Sequence, residues 1–184
     1  NVFWAEAGNS PGTGNIKSVP KGGGAATSWI IDGYMSSVVR SDNDRIYWLE
    51  ATGNLPTVRI ASLTPSTGEI RTVLSGIGYS YPIHTFAVDD AFVFIADGET
   101  IKKVPVNGGL LDVIVAKDPG QLIGSVGSDG AYLYWFCPKT AQSVFSMLQK
   151  MPINGGPIET IVTDINTRYG KLMGRYYFWI EEVP

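Results

Sequence analysis

The chain has 184 residues, 44% of them hydrophobic and 17% charged, with a formal net charge of -3 at pH 7. It has no run of like charge and no apolar stretch near the roughly 20 residues that cross a bilayer as a helix, so the sequence predicts neither a nucleic acid partner nor a transmembrane segment. The single cysteine, Cys137, excludes an internal disulfide and a thiolate metal cluster within the chain.

A five-residue pattern occurs five times: an apolar residue, Phe or Tyr, Trp or Ile, an apolar residue or Ala, and an acid. In chain order the copies are Val2 to Glu6, Ile46 to Glu50, Val93 to Asp97, Leu133 to Cys137 and Tyr177 to Glu181. Their third positions, residues 4, 48, 95, 135 and 179, are separated by 44, 47, 40 and 44 residues. Apolar side chains at successive positions predict a strand buried on both faces, with the Phe and Tyr row packing one way and the Trp and Ile row the other.

A second pattern, which contains Pro and ends in a Gly-containing turn, follows each of the first four copies. It spans Ile16 to Gly23, Val58 to Gly68 (a degenerate copy), Ile101 to Gly109 and Leu148 to Gly156. Asn-Gly-Gly and Lys-Gly-Gly supply the positive φ angles of a tight hairpin, so each copy predicts a third strand turning into a fourth. The fourth strands are predicted at Ala25 to Ile31, Ile70 to Leu74, Asp112 to Ala116 and Ile158 to Thr163. The innermost strands are predicted at Ser36 to Ser41, Ile83 to Asp89, Ile123 to Ser128 and Gly170 to Gly174.

Four strand types that recur about every 44 residues predict an all-β fold, a β-propeller of four-stranded antiparallel blades. The repeats lie near residues 1–34, 35–81, 82–121, 122–166 and 167–184, so residues 1–184 are predicted to be a single propeller domain or a fragment of one, with about four blades visible. The predicted strands do not fill a whole number of blades. We therefore expect the chain to be part of a five- or six-bladed ring, or to be completed by another chain packed on its terminal strands.

The aromatic strand resembles the Tyr-Trp-Thr-Asp (YWTD) repeat of the propellers in low-density lipoprotein receptors, and the whole unit resembles bacterial repeats ending in Val-Pro-x-x-Gly-Gly. The chain departs from that pattern with Ala, Leu, Phe or Ile in place of Thr, Ile95 in place of Trp and Cys137 in place of the acid. Such families are mostly non-enzymatic, extracytoplasmic and used for protein contacts. The resemblance implies a periplasmic, cell-surface or secreted scaffold with a binding face, and it implies that the acid of each copy makes a hydrogen bond within its blade.

The residues that could carry chemistry favour structural roles. The acids at the end of the pattern could form a metal-binding ring, but equivalent positions in successive blades lie a blade width apart; they are Glu6, Glu50, Asp97 and Glu181. Other acids lie in hairpin turns, where Asp bonds its own backbone; they are Asp42, Asp44, Asp89, Asp90 and Asp129. His84 is the only histidine, too few for a zinc site, and Cys137 is expected to be a buried thiol. No cofactor, metal site or catalytic residue is predicted.

The loops at one end of the blades form the candidate binding surface. In a propeller, the connections from a fourth strand to the next innermost strand share one face with those between second and third strands. The candidate binding residues in the first kind of loop are Tyr34, Tyr79, Tyr81, His84, Gln121, Arg168 and Tyr169. Tyr and Arg are enriched in interface hot spots.

We therefore expect a non-catalytic binding or assembly subunit whose partner is a protein or further copies of itself. Two alternatives stay open. One is a propeller enzyme with a small ligand or metal in the central funnel, and the other is a carbohydrate-binding propeller.

Overall fold

The computed structural model describes residues 1–6, 14–31, 34–42, 44–51, 57–78, 86–138, 143, 146–166, 170–173 and 176–179. Within these ranges the regular structure is entirely β and forms five antiparallel sheets, here called blades 1 to 5 in chain order. Blade 1 contains β1 (Val2–Glu6), β2 (Gly14–Val19) and β3 (Thr27–Ile31). Blade 2 contains β4 (Tyr34–Asp42), β5 (Arg45–Ala51), β6 (Thr57–Thr64) and β7 (Glu69–Gly78).

Blade 3 contains β8 (Phe86–Val88), β9 (Phe92–Asp97), β10 (Thr100–Pro105) and β11 (Asp112–Ala116). Blade 4 contains β12 (Val126–Ser128), β13 (Tyr132–Pro138), β14 (Ser146–Pro152) and β15 (Glu159–Ile165), and blade 5 contains β16 (Gly170–Met173) and β17 (Tyr176–Trp179). Strands adjacent in sequence are adjacent in each sheet. Each sheet is therefore a simple up-and-down meander, as the repeat predicts.

The chain divides into two compact units. One comprises Asn1–Tyr79 with Asn107–Gly109, and the other comprises Ser80–Val106 with Leu110–Pro184. Blades 1 and 2 lie in the first unit, and blades 3 to 5 lie in the second apart from the three-residue turn between β10 and β11.

The hairpins between third and fourth strands follow the predicted turn chemistry. The N–H of Gly23 donates to the carbonyl of Pro20 at 2.9 Å, and the N–H of Gly155 donates to that of Pro152 at 2.9 Å. Gly23, Gly108 and Gly155 occupy equivalent positions with φ angles of 88°, 85° and 90°. A side chain is disfavoured in this left-handed region, which explains why the repeat carries glycine here.

In the strand that carries the five-residue pattern, successive side chains point to opposite sides of the sheet. We call the side that carries the first and third repeat positions the Trp face, and the side that carries the second and fourth positions the Phe/Tyr face. In blades 1 and 2, Phe3 and Ala5 of the Phe/Tyr face of β1 pack against a buried cluster that includes Ile46 and Trp48 of the Trp face of β5. The Phe/Tyr face of one blade is thus covered by the Trp face of the next.

The same arrangement occurs between blades 3 and 4. Phe94 and Ala96, on the Phe/Tyr face of β9, share one buried cluster with Leu133 and Trp135 on the Trp face of β13. Phe94, Leu133 and Trp135 are each 0% exposed, so this interface is a fully closed core.

It occurs a third time between blades 4 and 5. Tyr134 and Phe136, on the Phe/Tyr face of β13, pack with Tyr177 and Trp179 on the Trp face of β17. The Phe136 ring lies 5.4 Å from the ring of Tyr177 and 6.2 Å from that of Trp179, centroid to centroid. The prediction that the two rows pack in opposite directions is confirmed at these three interfaces.

Some strand boundaries differ from the predictions. The innermost strand predicted at Ile123 begins at Val126. Before it, the N–H of Ile123 donates to the carbonyl of Gly98 in a neighbouring turn at 2.8 Å, and the N–H of Gly124 donates to the carbonyl of Phe136 at 2.7 Å. The fourth strand predicted to end at Leu74 runs on to Gly78. A bulge with Gly76 at φ 74° lets β7 continue pairing with β6 beyond that point.

Candidate functional site

The acid of the second repeat copy, Glu50, is bonded to side chains of its own blade. The indole N–H of Trp48 donates to one oxygen of Glu50 at 3.2 Å, and the guanidinium of Arg59 on the paired strand binds the other oxygen. Both Trp48 and Glu50 are 0% exposed. This carboxylate is therefore a structural acceptor, as the resemblance implies, and it is not available to a metal.

The acids of the first and third copies also pair with a cation on the neighbouring strand. Trp4 donates to Glu6 at 3.3 Å, and the ammonium of Lys17 lies 2.7 Å from the other carboxylate oxygen. The hydrogen bond from Lys17 lowers the pKa of Glu6 below its usual value, with Trp4 adding to the effect. In blade 3 the ammonium of Lys102 binds Asp97. The fifth acid, Glu181, lies outside the described residues.

Blade 4 replaces both members of this ion pair. Cys137 stands in place of the acid, and Gln149 occupies the register position that Lys102 occupies in blade 3, opposite the third residue of the pattern. The thiol donates to Oε1 of Gln149 at 3.3 Å, and the same oxygen accepts from Nζ of Lys117 at 2.6 Å. Within the described part of the chain, the buried indole N–H of Trp135 has no hydrogen-bond partner. A neutral pair has replaced a charged one.

Cys137 is a free thiol with no exposed surface. Burial raises its pKa above the usual value, and the charge of Lys117 opposes that rise without cancelling it. A protonated, enclosed thiol is a poor nucleophile. The expectation that Cys137 is a buried core residue is confirmed.

Two of the turn acids, Asp89 and Asp129, bond to their own backbone, as predicted. Asp89 accepts from the N–H groups of Ala91 and Phe92 at 2.8 and 2.7 Å. Asp129 accepts from the N–H groups of the residues two and three positions later at 2.9 and 2.7 Å. Asp44 and Asp90 are exposed residues in the corresponding turns, and the side chain of Asp42 lies outside the description.

Asp129 also fixes an aromatic side chain. The hydroxyl of Tyr134 donates to Oδ2 of Asp129 at 2.8 Å. Partial burial and this hydrogen bond together raise the pKa of Tyr134 to about 12. Partial burial tends to raise the pKa of Asp129, but hydrogen bonds from the N–H of Tyr132, the hydroxyl of Tyr134 and the N–H of Ala131 lower it below its usual value.

One connection of the candidate binding surface is described in full: residues 117–125, between β11 and β12. Its backbone is fastened at several points to the turn between β9 and β10. The N–H of Gly120 donates to the carboxylate of Glu99 at 2.9 Å, and the N–H of Lys117 donates to the carbonyl of Glu99 at 2.9 Å. A fourth-to-first connection thus lies beside a second-to-third turn, as expected for a propeller.

Gln121, the candidate contact residue of this connection, has structural contacts of its own. Its side-chain amide donates to the carbonyl of Pro138, at the end of β13, at 3.3 Å, and its N–H donates to the carbonyl of Asp118 at 3.0 Å. The side chain therefore helps to hold the connection against blade 4. Its neighbours Asp118 and Pro119 are exposed.

Of the other candidate binding residues, the structure describes only the backbone of Tyr34. Tyr34 begins β4, where it pairs with Ala51, and its side chain lies outside the description. Tyr79, Tyr81, His84, Arg168 and Tyr169 lie outside the described residues. Their assignment to the binding surface stays a prediction.

Two residues that hold this surface in place, Glu99 and Lys117, could not be recognised from the sequence. Glu99 follows the repeat acid in a two-residue turn, and Lys117 follows a fourth strand; neither belongs to a repeated pattern. Lys117 reaches Gln149, 32 positions away, and its ammonium lies 5.8 Å from the centre of the Trp135 ring. Only the packing of blade 3 on blade 4 reveals these roles.

Among the residues that the structure describes, no three His, Cys, Asp or Glu side chains converge in a way that could hold a metal ion. The same residues include no helix long and apolar enough to span a membrane.

Comparisons with known proteins bear on the fold. No family model and no curated protein sequence matches the chain. Among solved structures, a chain of a nidogen/laminin complex aligns with a TM-score of 0.57 at 15% identity, covering 88% of this chain and 61% of that one. A prolyl endopeptidase aligns with a TM-score of 0.59 at 16% identity, covering 87% of this chain and 26% of that one.

A protein described as TolB from Agrobacterium tumefaciens aligns with a TM-score of 0.51 at 15% identity, covering 83% of this chain and 57% of that one. The chain thus spans less than two thirds of the length of each of these structures. At such identities the likeness concerns the fold alone, and these neighbours are β-propellers. Together with the antiparallel three- and four-stranded sheets, they show that the chain has an all-β, β-propeller fold.

Proposed function

We propose that the chain is a non-catalytic propeller module that binds a protein partner through the end of its blades where the fourth-to-first connections lie. The observation that carries the proposal is the construction of residues 117–122. Their backbone is bonded to Glu99 through the N–H groups of Lys117 and Gly120, and the side chain of Gln121 is bonded to the carbonyl of Pro138. Asp118 and Pro119 remain exposed. A surface held in place before binding loses little conformational entropy on association, which favours recognition of a partner.

The chemistry of the repeat acids supports binding over catalysis. Glu6, Glu50 and Asp97 are each paired with a cation on the neighbouring strand, and Cys137 is an enclosed thiol with a raised pKa. Groups engaged in this way stabilise blades and are poorly placed to act on a substrate. The residues of the pattern that are capable of chemistry thus serve the scaffold.

The resemblance to YWTD-like repeats adds a location and a class of partner. Hydrogen bonds from Trp4 to Glu6 and from Trp48 to Glu50 fit the blade-internal role that this resemblance implies for the acid. We extend the proposal accordingly: the module belongs with the extracytoplasmic propellers of this kind. The nidogen chain that aligns with it was solved in complex with laminin, which illustrates the use of such a fold in protein contacts.

Affinity capture from the native source, followed by mass spectrometry, tests the proposal. The bait is the wild-type chain alongside the variant Asp118→Arg and the triple variant in which Tyr79, Tyr81 and Tyr169 become Ala. We expect a protein recovered with the wild type to be depleted by both variants. The control is Asn154→Arg, which places an arginine on an exposed hairpin at the opposite end of the blades.

Loss of the partner with Asn154→Arg as well would assign the capture to non-specific charge effects. Retention by all the variants would place the binding surface elsewhere. Stoichiometric metal in the purified protein, measured by elemental analysis, would support the funnel-ligand alternative in place of this proposal.

A further inference from the structure

Blade 4 holds a buried hydrogen-bond donor at the place where other blades hold a carboxylate. The indole N–H of Trp135 is completely buried, and it has no hydrogen-bond partner among the residues that the structure describes. In blades 1 and 2 the equivalent indoles donate to the acid two positions later, Glu6 and Glu50. Side chains at i and i+2 lie on the same side of a strand, so the indole of Trp135 lies on the side of Cys137. A cysteine side chain ends at Sγ and lacks the oxygen atoms that accept in the other blades.

The ammonium of Lys117 supplies a positive charge at the same place. Its Nζ lies 2.6 Å from Oε1 of Gln149 and 5.8 Å from the centre of the Trp135 ring. The thiol of Cys137 donates to the same oxygen of Gln149 at 3.3 Å, so this oxygen already accepts from two donors. Within the described ranges, no carboxylate forms an ion pair with Lys117, whereas a cation binds the repeat acid in each of blades 1 to 3. The donors thus meet next to a charge that has no counter-ion in the described part of the chain.

The surroundings favour a small ion over a large ligand or a water molecule. Trp135 and Cys137 share one buried cluster with Ile101 and Val115 of blade 3, which leaves no room for a bulky group. A buried donor without an acceptor is costly, and in folded proteins such a donor commonly binds an ordered water or an ion. A water would accept from the indole but would leave the charge of Lys117 unbalanced, whereas an anion satisfies both groups. Lys117 is only half-buried, so an ion can approach from solvent beside its side chain.

We propose that blade 4 binds a small monovalent anion of the size of chloride or bromide, held between Nε1 of Trp135 and Nζ of Lys117. The ion takes the part that the carboxylate of Glu50 has in blade 2. There, one acidic group accepts from the indole of Trp48 and balances the charge of Arg59. The anion restores to blade 4 the negative charge that the change from acid to cysteine removed from the repeat.

Urea denaturation in sodium chloride and in sodium gluconate, at one ionic strength, tests the proposal on the full chain. Gluconate is too large for the enclosed site, and equal ionic strength keeps general charge screening constant. A ligand that binds only the folded state raises the folding equilibrium constant by the factor 1 + [L]/Kd. We therefore expect this constant to rise about tenfold for each tenfold increase in chloride concentration above Kd, with bromide acting likewise. Crystals grown in sodium bromide give a direct readout, an anomalous-scattering peak within hydrogen-bond distance of Nε1 of Trp135.

Variants at the site locate the ion. Lys117→Gln removes the positive charge, and Cys137→Asp supplies a carboxylate at the position that carries Asp97 in blade 3, so each should abolish the dependence on chloride. Lys117→Arg keeps the charge and should retain the dependence. Lys150→Gln is the matched control, because it removes a half-buried lysine of the same blade that already has a carboxylate partner, Glu159, at 3.1 Å. Its response to chloride should equal that of the wild type.

Identical wild-type denaturation midpoints in chloride and gluconate overturn the proposal. So does a chloride response that persists unchanged in Lys117→Gln or in Cys137→Asp, or one that disappears in Lys150→Gln, because each result assigns the effect to another place. An ordered water beside Nε1 of Trp135 in the bromide crystals, without an anomalous peak, also overturns it, since a neutral acceptor then satisfies the indole. If Cys137→Asp fails to fold, Lys117→Gln and the bromide crystals decide the question.

Discussion

The indole of Trp48 and the carboxylate of Glu50 form a buried hydrogen bond of 3.2 Å between side chains only two positions apart in β5. Side chains at i and i+2 point to the same side of a strand, so the repeat itself brings the third and fifth positions together. The second oxygen of Glu50 binds Arg59, which satisfies the charge. Trp4 and Glu6 repeat the bond in blade 1, where Glu6 is exposed. One motif thus exists in a buried and an exposed form within the same chain.

Glu50→Ala should destabilise the protein by about 3 to 5 kcal/mol, because it leaves the charge of Arg59 and the N–H of Trp48 without their buried acceptor. Urea denaturation followed by tryptophan fluorescence measures this change in the free energy of unfolding. Glu6→Ala is the matched control at the same repeat position. Solvent replaces the lost contacts of this exposed group, so the denaturation midpoint should stay close to that of the wild type. Equal losses in the two variants would contradict the role of burial.

Trp48→Ala and Trp135→Ala should each cost about 3 to 5 kcal/mol of unfolding free energy, the range for truncating a fully buried aromatic side chain. Both indoles are 0% exposed. Leu110→Ala, at a position that is 84% exposed, should change the free energy by less than about 0.5 kcal/mol. A loss below about 1 kcal/mol for either tryptophan would mean that the aromatic strands are not the core of the blades.

Cys137 should react with a thiol reagent in the native protein far more slowly than in the denatured protein. It is completely buried, and burial raises its pKa, so little thiolate exists or is reachable at neutral pH. The measurement is the rate of colour release from a disulfide reagent at pH 7.5 with and without denaturant. Similar rates in the two conditions would disprove the burial of this side chain.

The blades could be predicted from the sequence because their determinants are local. Alternating aromatic positions, the Gly108-type turns and the Asx turns at Asp89 and Asp129 all act over a few residues, and each was found where the pattern predicted it. The contacts that bind one blade to the next are not local. Lys117 to Gln149 spans 32 positions, and no repeated spacing indicates it. For the candidate site, the sequence could predict only which loops form it, because the positions of their side chains depend on these long-range contacts.

The stability of the protein should decline between about pH 10 and 12 in a way that depends on Tyr134. Its pKa is raised to about 12 in the folded state, whereas an unfolded tyrosine titrates near 10. In that window the unfolded state has lost the proton and the folded state has kept it, so the unfolded state binds fewer protons and rising pH favours unfolding. The stabilisation is fully present below about pH 10 and is lost as the pH passes about 12.

Tyr134→Phe keeps the ring, which lies 6.1 Å from that of Tyr177, but removes the ionising hydroxyl bonded to Asp129. Its unfolding free energy should therefore fall less steeply across this window than that of the wild type. Denaturation curves at closely spaced pH values measure the difference, with Tyr176→Phe as the control for a tyrosine that is 64% exposed. Parallel slopes for the wild type and Tyr134→Phe would rule out this linkage.

Gly170→Ala should be among the most damaging small substitutions in blade 5. A Cβ at this position would lie 2.5 Å from a ring carbon of Phe136, 2.6 Å from one of Tyr177 and 2.8 Å from the carbonyl oxygen of Phe178. The rings are packed between blades and the carbonyl belongs to the paired strand, so neither can move without opening the interface. Overpacking of this kind costs about 1 to 3 kcal/mol, and contact with backbone places this variant at the upper end.

Gly22→Ala is the matched control, since nothing lies within 4 Å of its added methyl group. Urea denaturation should show a large loss for Gly170→Ala and none for Gly22→Ala. If both variants unfold at the wild-type midpoint, the close approach of β16 to Phe136 is not what anchors blade 5 to blade 4.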